Sequence, residues 1–428
     1  MSRILTTSIP AWSKRSGADT LSSILDGLPS DDIANIYMKA DLPDSKAAGR
    51  YFQIIESDVI KSIFCRNKVV GKEVQVSDSE ALGPEYLTEV RRYGFFTRHR
   101  WSIFLWIREL LWSAGAWKSR SLDDFIESFK PDVLLFSIES YAYYNRLNRY
   151  IIDRYHPQKV IGYLWDDNFT YKQRPGNPFF LISRFFLRKQ VRKLIASCDA
   201  VLAISPKMKE ECDKEFGINS ILLTKPIRES SYTPYKFSGY PLRLIYTGSL
   251  VIGRDKTLLS LAHIVDEINQ DGDLLFLDIY TNTHLPESYV KAVSSCRMCS
   301  VMGHVAQTQA FIEQEKSDVL IFAESLLPTD NVARLSFSTK ITDYLGCGRC
   351  ILAIGREDNA SVEYFKNENA ALVCTDLSEL RYVLHHLLSD SALIERYASL
   401  ARACGLRNHS KAKVQKRFMK LLDNIVEK

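Results

Sequence analysis

Residues 338–355 read STKITDYLGCGRCILAIG, and this stretch decides the fold. Ser and Thr ahead of a helical pattern are typical of a helix start, and Gly-Cys-Gly ends that pattern before the apolar run CILAI. A strand that is apolar throughout is buried on both faces, which requires a parallel sheet covered by helices. The stretch therefore predicts a helix that leads into a central strand of an α/β sheet.

The same alternation of strands and helices extends in both directions. In the second half the predicted strands are LRLIYTG, LLFLDIYT, CSVMGHV, DVLIFAES, CILAIG and AALVC. In the first half they are RILTTSIP, IANIYM, PDVLLFSIES, KVIGYLW and DAVLAIS. We predict two Rossmann-like, doubly wound α/β domains that face each other across a cleft. The expected divisions are an N-terminal domain over 1–228, a linker over 229–241, a C-terminal domain over 242–405, and a helix over 406–428 that packs back on the first domain.

The composition is that of a folded, globular chain. Of its 428 residues, 46% are hydrophobic and 25% are charged, which excludes a disordered protein. The start MSRILTTSIPAW has no basic leader or long apolar core, so a cytoplasmic location is expected. Nine scattered cysteines suit free thiols. The pairs Cys296/Cys299 and Cys347/Cys350 lie too far apart for a zinc ribbon, so no metal is predicted.

Three segments of the second half resemble the nucleotide-binding domain of the GT-B glycosyltransferases, particularly the group-1, family-4-like bacterial polysaccharide enzymes. They are YTGSLVIGRDKTL from Tyr246, SDVLIFAES from Ser317 and STKITDYLGCGRCILAIG from Ser338. The resemblance implies a metal-independent, hexosyltransferase-like enzyme with a nucleotide-diphosphate sugar as co-substrate and no other cofactor. The paired-glutamate motif of many group-1 enzymes would place a Glu near Leu335, where this sequence has none. Inverting and retaining outcomes therefore both stay open.

Positive charge at the start of a helix points to a diphosphate. Lys340 lies in the first turn of its predicted helix, where the macrodipole and free amides favour phosphate, and Arg254 follows a glycine turn. Asp343, one turn after Lys340, suits ribose hydroxyls, although a Lys–Asp pair at this spacing is also a common surface ion pair. Ser338 and Thr339 are candidate N-caps. The donor-binding candidates are Gly248, Ser249, Arg254, Lys256, His304, Ser338, Thr339, Lys340 and Asp343.

Carboxylates at strand ends are the candidates on the acceptor side. Glu139 ends one predicted strand, Asp166, Asp167 and Asn168 follow another, and Gly17 lies in the turn after the first strand. An inverting reaction would use one of these carboxylates as general base; the alternative is that residues 166–168 form a capping turn. The catalytic candidates are Lys340, Arg254, Asp167, Asp166 and Glu139. The acceptor-side candidates are Gly17, Asp166 and Asn168.

Tryptophan and basic residues concentrate between Arg91 and Arg120, and a second basic aromatic stretch begins at Phe179. Such segments indicate helices that lie against an anionic membrane, although helix-spaced aromatics also fill cores. The membrane-facing candidates are Trp101, Trp106, Trp112, Trp117, Arg188 and Lys189. No nucleic acid is expected as a partner, because no RNP, KH or helix-turn-helix pattern accompanies these charges.

Together these features predict a cytoplasmic, peripherally membrane-bound glycosyltransferase of surface polysaccharide or glycan assembly. It would transfer a sugar from a nucleotide-diphosphate donor to a lipid-linked or saccharide acceptor on the inner face of the membrane. Two alternatives stay open: a non-catalytic GT-B-like membrane-associated partner subunit, favoured by the missing Glu near Leu335, and a sugar-nucleotide epimerase.

Overall fold

The computed structural model describes residues 2–13, 20–65, 67–76, 102–228 and 233–424. The chain divides into two compact units. Unit 1 consists of residues 1–204, 209–223 and 417–428, and unit 2 consists of residues 205–208 and 224–416. Two of the candidate residues named from the sequence, Gly17 and Trp101, lie outside the described residues.

Unit 1 is built on an eight-stranded sheet of order β4-β3-β2-β1-β5-β6-β7-β8. Neighbouring strands are parallel, apart from the antiparallel pair β3 and β4. The central strands are buried at every position, as apolar runs between two helical layers require. The strands are β1 (Ile4–Ser8), β2 (Ile33–Tyr37), β3 (Arg50–Gln53), β4 (Lys72–Val74), β5 (Val133–Ser137), β6 (Lys159–Leu164), β7 (Ala200–Ala203) and β8 (Ile221–Leu222).

Unit 2 is built on a parallel six-stranded sheet of order β11-β10-β9-β12-β13-β14. Its core packs strand residues such as Leu244, Leu277 and Leu352 against apolar helix faces. The chain crosses over through a helix between successive strands, which is the doubly wound arrangement. The strands are β9 (Leu242–Thr247), β10 (Leu275–Tyr280), β11 (Cys299–Gly303), β12 (Val319–Ala323), β13 (Cys350–Ile354) and β14 (Leu372–Cys374).

The helices follow the predicted alternation. In chain order they are α1 (Thr20–Leu25), α2 (Glu56–Phe64), α3 (Ser102–Ala114), α4 (Arg120–Phe129), α5 (Ala142–Tyr155), α6 (Pro178–Ile195), α7 (Pro206–Phe216), α8 (Arg254–Ile268), α9 (Glu287–Ser294), α10 (Gln307–Lys316), α11 (Lys340–Cys347), α12 (Ala360–Asn367), α13 (Leu377–Ser389), α14 (Ser391–His409) and α15 (Lys411–Asn424). Short 3₁₀ turns cover Ser30–Asp32 and Asn269–Asp271.

The prediction of two Rossmann-like, doubly wound α/β sheets is confirmed. All eleven strands named from the sequence are present, while β3, β4 and β8 were not anticipated. Within the described ranges, no helix combines the length and apolar character needed to cross a bilayer. The nine cysteines are all free thiols.

Candidate functional site

The candidate donor site lies at the carboxyl ends of two neighbouring strands of unit 2. Strand β9 ends at Thr247 and leads through a glycine turn into α8, whose first residue is Arg254. Its neighbour β12 ends at Ala323 and is followed directly by Glu324. The carboxyl edge of a doubly wound sheet is where ligands bind in this architecture.

Lys340 is the first residue of α11 and reaches back to β9. Its Nζ donates to the hydroxyl of Tyr246 at 2.8 Å and lies 4.3 Å from the centre of that ring. The Tyr246 hydroxyl in turn donates to the carbonyl oxygen of Ser249 at 2.7 Å. The phenol therefore fixes the position of the ammonium group.

Gly248 makes room for this lysine. Its φ is +142°, a conformation that residues with a Cβ rarely adopt. A Cβ at this position would lie 2.2 Å from Cε of Lys340 and 2.4 Å from its Nζ. A glycine is thus required both by the backbone and by the close approach of Lys340.

Arg254 is held by Glu324. Its Nε and Nη2 donate to the two carboxylate oxygens at 3.1 and 2.8 Å, which makes a bidentate ion pair. The side chains are 14% and 5% exposed, so the pair is largely withdrawn from water. Arg254 also sits at the amino end of α8, where the first backbone amides of the helix favour an anion.

The cluster brings two cations, Lys340 and Arg254, close together. Burial and the nearby Arg254 guanidinium lower the pKa of Lys340 to about 7, while Glu324 and Asp343 act in the opposite direction. Lys340 forms no ion pair with any described residue, because Glu324 is engaged by Arg254 and Asp343 by Lys225. Glu324 offsets part of this positive charge, and so does Asp330, whose Oδ2 would lie 2.3 Å from a Cβ on Gly253 at the start of α8.

Asp343 lies one turn after Lys340, as the sequence predicted, but its Oδ1 accepts from Lys225 Nζ at 3.2 Å. This pair is well buried, with 11% and 15% of the side chains exposed. At the start of α11, Thr339 occupies the N-cap position without a capping bond from its side chain, and the Ser338 hydroxyl accepts from the Lys340 amide at 3.4 Å. Thr339 is therefore at the predicted N-cap position, but its backbone is already helical and its side chain does not cap the helix.

The remaining donor-side candidates are spread along the same edge. The Ser249 hydroxyl lies 3.2 Å from that of Thr283 in the glycine turn. Lys256 is exposed in the first turn of α8. His304 is exposed after the edge strand β11, which β10 separates from β9. Among the described residues, no hydrogen bond or ion pair joins Lys256 or His304 to Lys340.

Three members of this cluster escaped the sequence analysis: Glu324, Tyr246 and Lys225. Glu324 carried a usable signal, because it is a charged residue that directly ends the apolar strand VLIFA. Tyr246 and Lys225 carried none, since their contacts join residues 94 and 118 positions apart in the chain.

The acceptor-side candidates lie in unit 1, at the carboxyl ends of the adjacent parallel strands β5 and β6. Glu139 follows β5 and Asp166 follows β6 by two residues each. Burial, and next the Asp166 carboxylate, raise the pKa of Glu139 to about 7, against hydrogen bonds from Ser137 and Trp165. Asp166 itself is exposed. A carboxyl group that titrates near neutrality suits a general base.

Asp167 and Asn168 have a structural role. Asp167 is fully buried, and its carboxylate accepts from the amide of Thr170 at 2.9 Å and from the Thr170 hydroxyl. The buried Arg184 lies 3.8 Å away and donates to the carbonyl of Asp167 at 2.8 Å. The Asn168 side chain, also fully buried, donates to the carbonyl of Ile138. These contacts match the capping-turn alternative and leave Asp167 no access to a substrate.

Two of the predicted membrane-facing tryptophans are in the core. Trp112 is 1% exposed and stacks on Tyr143 with ring centres 4.5 Å apart, and Trp117 is 4% exposed and packs edge-on against Tyr150. The prediction for these two residues is wrong, because the buried face of each segment could not be identified from composition. Arg188 is likewise directed inward, and donates to the Phe169 carbonyl and to Glu215.

An exposed apolar and basic surface nevertheless remains on unit 1. Trp106 of α3 is 47% exposed and donates through its indole to the Ser183 hydroxyl of α6 at 2.7 Å, which joins the two helices. We call the following exposed residues of these helices the α3/α6 surface: Trp106, Ile107, Leu110, Phe179, Ile182, Phe185, Phe186, Lys189, Arg192 and Lys193.

No group of three or more metal-ligating side chains occurs among the residues that the structure covers. The positive charge at the donor site is supplied by Lys340, Arg254 and the amino ends of α8 and α11.

No family model matches the sequence, and no curated protein matches it significantly. Solved structures do match over the whole chain. Anabaena HepE, solved in complex with UDP, is 10% identical with a TM-score of 0.61, over 99% of this chain and 100% of its own. Sucrose-phosphate synthase from Thermosynechococcus elongatus is 11% identical with a TM-score of 0.65, over 100% of both chains. Trehalose-6-phosphate synthase from Burkholderia multivorans is 9% identical with a TM-score of 0.56, over 100% of this chain and 99% of its own.

These proteins share the GT-B fold, and the likeness assigns that fold to the present chain. The resemblance to GT-B glycosyltransferases predicted from the three sequence segments is thereby confirmed at the level of the fold.

Proposed function

We propose that this protein is a glycosyltransferase that moves a sugar from a nucleoside-diphosphate sugar to a hydroxyl group of a lipid-linked or saccharide acceptor. The observation that carries the proposal is the pair of cations, Lys340 and Arg254, at the carboxyl edge of the unit 2 sheet and at two helix starts. The UDP bound to the structurally similar HepE adds support. The proposal specifies the class of donor and of pathway, a hexose carried by a nucleoside diphosphate and the assembly of a glycan, and names no particular sugar, nucleotide or pathway.

The donor half of the mechanism is stabilisation of a leaving diphosphate. When the bond between the anomeric carbon and the phosphate oxygen breaks, negative charge builds up on that oxygen. Arg254, Lys340 and the amides of their helix starts would hold this charge without rearrangement, because Tyr246 and Glu324 already fix both side chains. Asp343 would accept hydrogen bonds from the ribose hydroxyls.

The acceptor half requires a group that receives the proton of the attacking hydroxyl if the reaction inverts the anomeric configuration. Glu139 is the candidate, because burial, and next the Asp166 carboxylate beside it, raise its pKa to about 7. The new bond forms between the acceptor oxygen and the anomeric carbon as the phosphate leaves, and the proton passes to Glu139. A retaining reaction would not require this base.

The test is sugar transfer by the purified full chain. UDP-glucose and GDP-mannose with labelled sugars would be incubated with membrane lipid extract or oligosaccharides, and product label and free diphosphate would both be measured. We expect label in an acceptor and loss of both signals in Lys340→Ala, with Lys316→Ala, which removes an exposed cation at the end of α10, as the matched control. Conversion of the donor to another sugar without an acceptor would indicate the epimerase alternative instead. A folded chain that binds no nucleotide would indicate a non-catalytic subunit.

We also propose that the α3/α6 surface holds the protein on the cytoplasmic face of an anionic membrane. On α6 the exposed residues Phe179, Ile182 and Phe186 recur at helical spacing, and Lys189 and Lys193 follow on the exposed side. Aromatic side chains at headgroup depth beside lysines are the combination that binds anionic lipid. A lipid-linked acceptor would be available at such a surface.

Vesicle flotation tests this second proposal. We expect the wild-type chain to float with phosphatidylglycerol vesicles and not with phosphatidylcholine vesicles. Phe179→Ser combined with Phe186→Ser should remove flotation, whereas Phe64→Ser should not, since Phe64 is 81% exposed on α2 outside the α3/α6 surface. Equal flotation of the double variant and the wild type would contradict the proposal.

A further inference from the structure

Glu324 is a buried carboxylate of the candidate donor site that would not itself touch the substrate. It is 4% exposed and engages Arg254 through both of its oxygens. We propose that Glu324 is a positioning residue, which holds the Arg254 guanidinium so that its remaining N–H groups receive the donor diphosphate. This inference rests on the proposed function and adds a residue that acts through Arg254 without touching the substrate.

The backbone of Glu324 is fixed from two sides. Its amide donates to the Ile354 carbonyl of β13 at 2.8 Å, and its carbonyl accepts from the Thr257 hydroxyl of α8 at 2.9 Å. Across from it, a Cβ on Gly355 would lie 3.0 Å from the Glu324 Cβ, so the two chains are in close contact there. The carboxylate is therefore a rigid anchor, attached to the same helix that carries Arg254.

The pair leaves the guanidinium able to bind a second anion. Of its five N–H groups, Nε–H and one N–H of Nη2 point to Glu324, which leaves both N–H groups of Nη1 and the second of Nη2. A planar fork that is held along one edge presents its other edge in a fixed direction. The first amides of α8 lie at the same residue and add to the attraction for phosphate.

Net stability is a weak reason for such a pair. A buried ion pair loses hydration that its attraction only partly restores, so it often contributes little to folding. Pre-organisation of the arginine is a better reason for the ion pair. Without Glu324 the Arg254 side chain would lose conformational entropy each time a ligand binds, and this cost lowers affinity.

A double-mutant cycle tests whether Glu324 acts through Arg254. UDP affinity would be measured by calorimetry for the wild type, Glu324→Gln, Arg254→Ala and the double variant. We expect Glu324→Gln to weaken UDP binding by about tenfold and Arg254→Ala to weaken it further. The double variant should bind no more weakly than Arg254→Ala. Unchanged affinity in Glu324→Gln, or a loss that adds in full to that of Arg254→Ala, would overturn the proposal.

The matched control is Glu313→Gln, which removes the carboxylate of another Arg–Glu pair of unit 2. Glu313 Oε2 accepts from Arg243 Nη2 at 2.7 Å, and Arg243 lies near the amino end of β9, away from the donor edge. It should lower the melting temperature without changing UDP affinity. Arg254→Lys provides a second background, because a lysine keeps the positive charge without the planar fork of a guanidinium. In the Arg254→Lys protein, Glu324→Gln should change UDP affinity less than twofold. A tenfold loss of UDP affinity in that background would overturn the proposal.

A further readout separates positioning from a general loss of structure. Glu324 raises the pKa of Lys340 and Arg254 lowers it. The pH midpoint of UDP binding should therefore fall in Glu324→Gln and rise in Arg254→Ala, and equal shifts in one direction would contradict the assignment. If the folded wild type binds no nucleoside diphosphate, the proposed function fails; if it binds UDP and Glu324→Gln binds equally well, only this inference fails.

Discussion

Donor binding should take up a proton, because the lysine at the centre of the site titrates near neutrality. Burial and Arg254 lower the pKa of Lys340 to about 7 in the free protein. A bound diphosphate would stabilise the ammonium and raise that pKa, so the complex holds more protons than the free protein. Affinity must then fall as pH rises above 7. The charged and titratable groups that face Lys340 are Tyr246, Arg254, Glu324 and Asp343, with Lys225 paired to Asp343.

The magnitude follows from the two protonation states. Above pH 7 each further pH unit should weaken binding by roughly tenfold, as long as Lys340 stays protonated in the complex. At pH 8 only about a tenth of the free sites carry the proton, so binding should take up about 0.9 of a proton. The terminal phosphate of UDP, with a pKa of about 6, is ionised throughout this range and does not contribute.

The assay is calorimetric titration with UDP at pH 8 in buffers of different ionisation enthalpy, which counts the protons directly. Lys340→Arg is the control, since arginine stays charged at every accessible pH and should show no uptake from this position. Zero proton uptake by the wild type at pH 8, with measurable UDP binding, would refute the reasoning.

Three further predictions follow from the same contacts. Gly248→Ala should abolish UDP binding by displacing the Lys340 ammonium, whereas Gly176→Ala, where a Cβ meets nothing within 4 Å, should leave calorimetric affinity unchanged. Lys340→Met should raise the melting temperature most below pH 7 and least near pH 10. The reason is that the pKa of Lys340 falls from 10.5 to about 7 on folding, so the free-energy cost of burying its charge decreases across that pH interval. An equal gain in melting temperature at every pH would contradict this prediction. If the reaction inverts, Glu139→Gln should lower kcat by about 10²–10⁴-fold without changing UDP affinity, and wild-type activity should fall as pH drops below about 7, where Glu139 becomes protonated. A wild-type rate in Glu139→Gln would exclude it as base.

The two sheets were predictable because most of their strands are apolar along their whole length. Runs such as VLLFS and CILAI are buried on both faces, so their composition alone identifies central parallel strands. Strand β4, with the sequence KEV at a sheet edge, is polar and partly solvent-exposed, so it carries no apolar pattern. Strands β3 and β8 were not predicted either, because they span only four and two residues and so contain no extended apolar run.

The donor site was predictable in its cations but not in the groups that hold them. Lys340 and Arg254 lie at helix starts that can be recognised from the neighbouring residues in the sequence. Their partners Tyr246 and Glu324 are 94 and 70 residues away, and only the pairing of β9 with β12 and the approach of α11 bring them together. Trp112 shows the same limit, since the periodicity of its helix identifies an apolar face without saying whether that face meets the core or the solvent.

The most direct test of the account is nucleotide-dependent stabilisation of the folded chain, because a ligand that binds only the native state raises the melting temperature. Wild type, Lys340→Ala and the control Lys316→Ala would be compared in the presence of UDP, GDP, their sugar conjugates and UMP. The account predicts a rise with a nucleoside diphosphate that exceeds the rise with UMP, is retained in Lys316→Ala and is lost in Lys340→Ala. A well-folded wild type whose melting temperature responds to no diphosphate, or a Lys340→Ala variant that responds like the wild type, would contradict the proposed donor site.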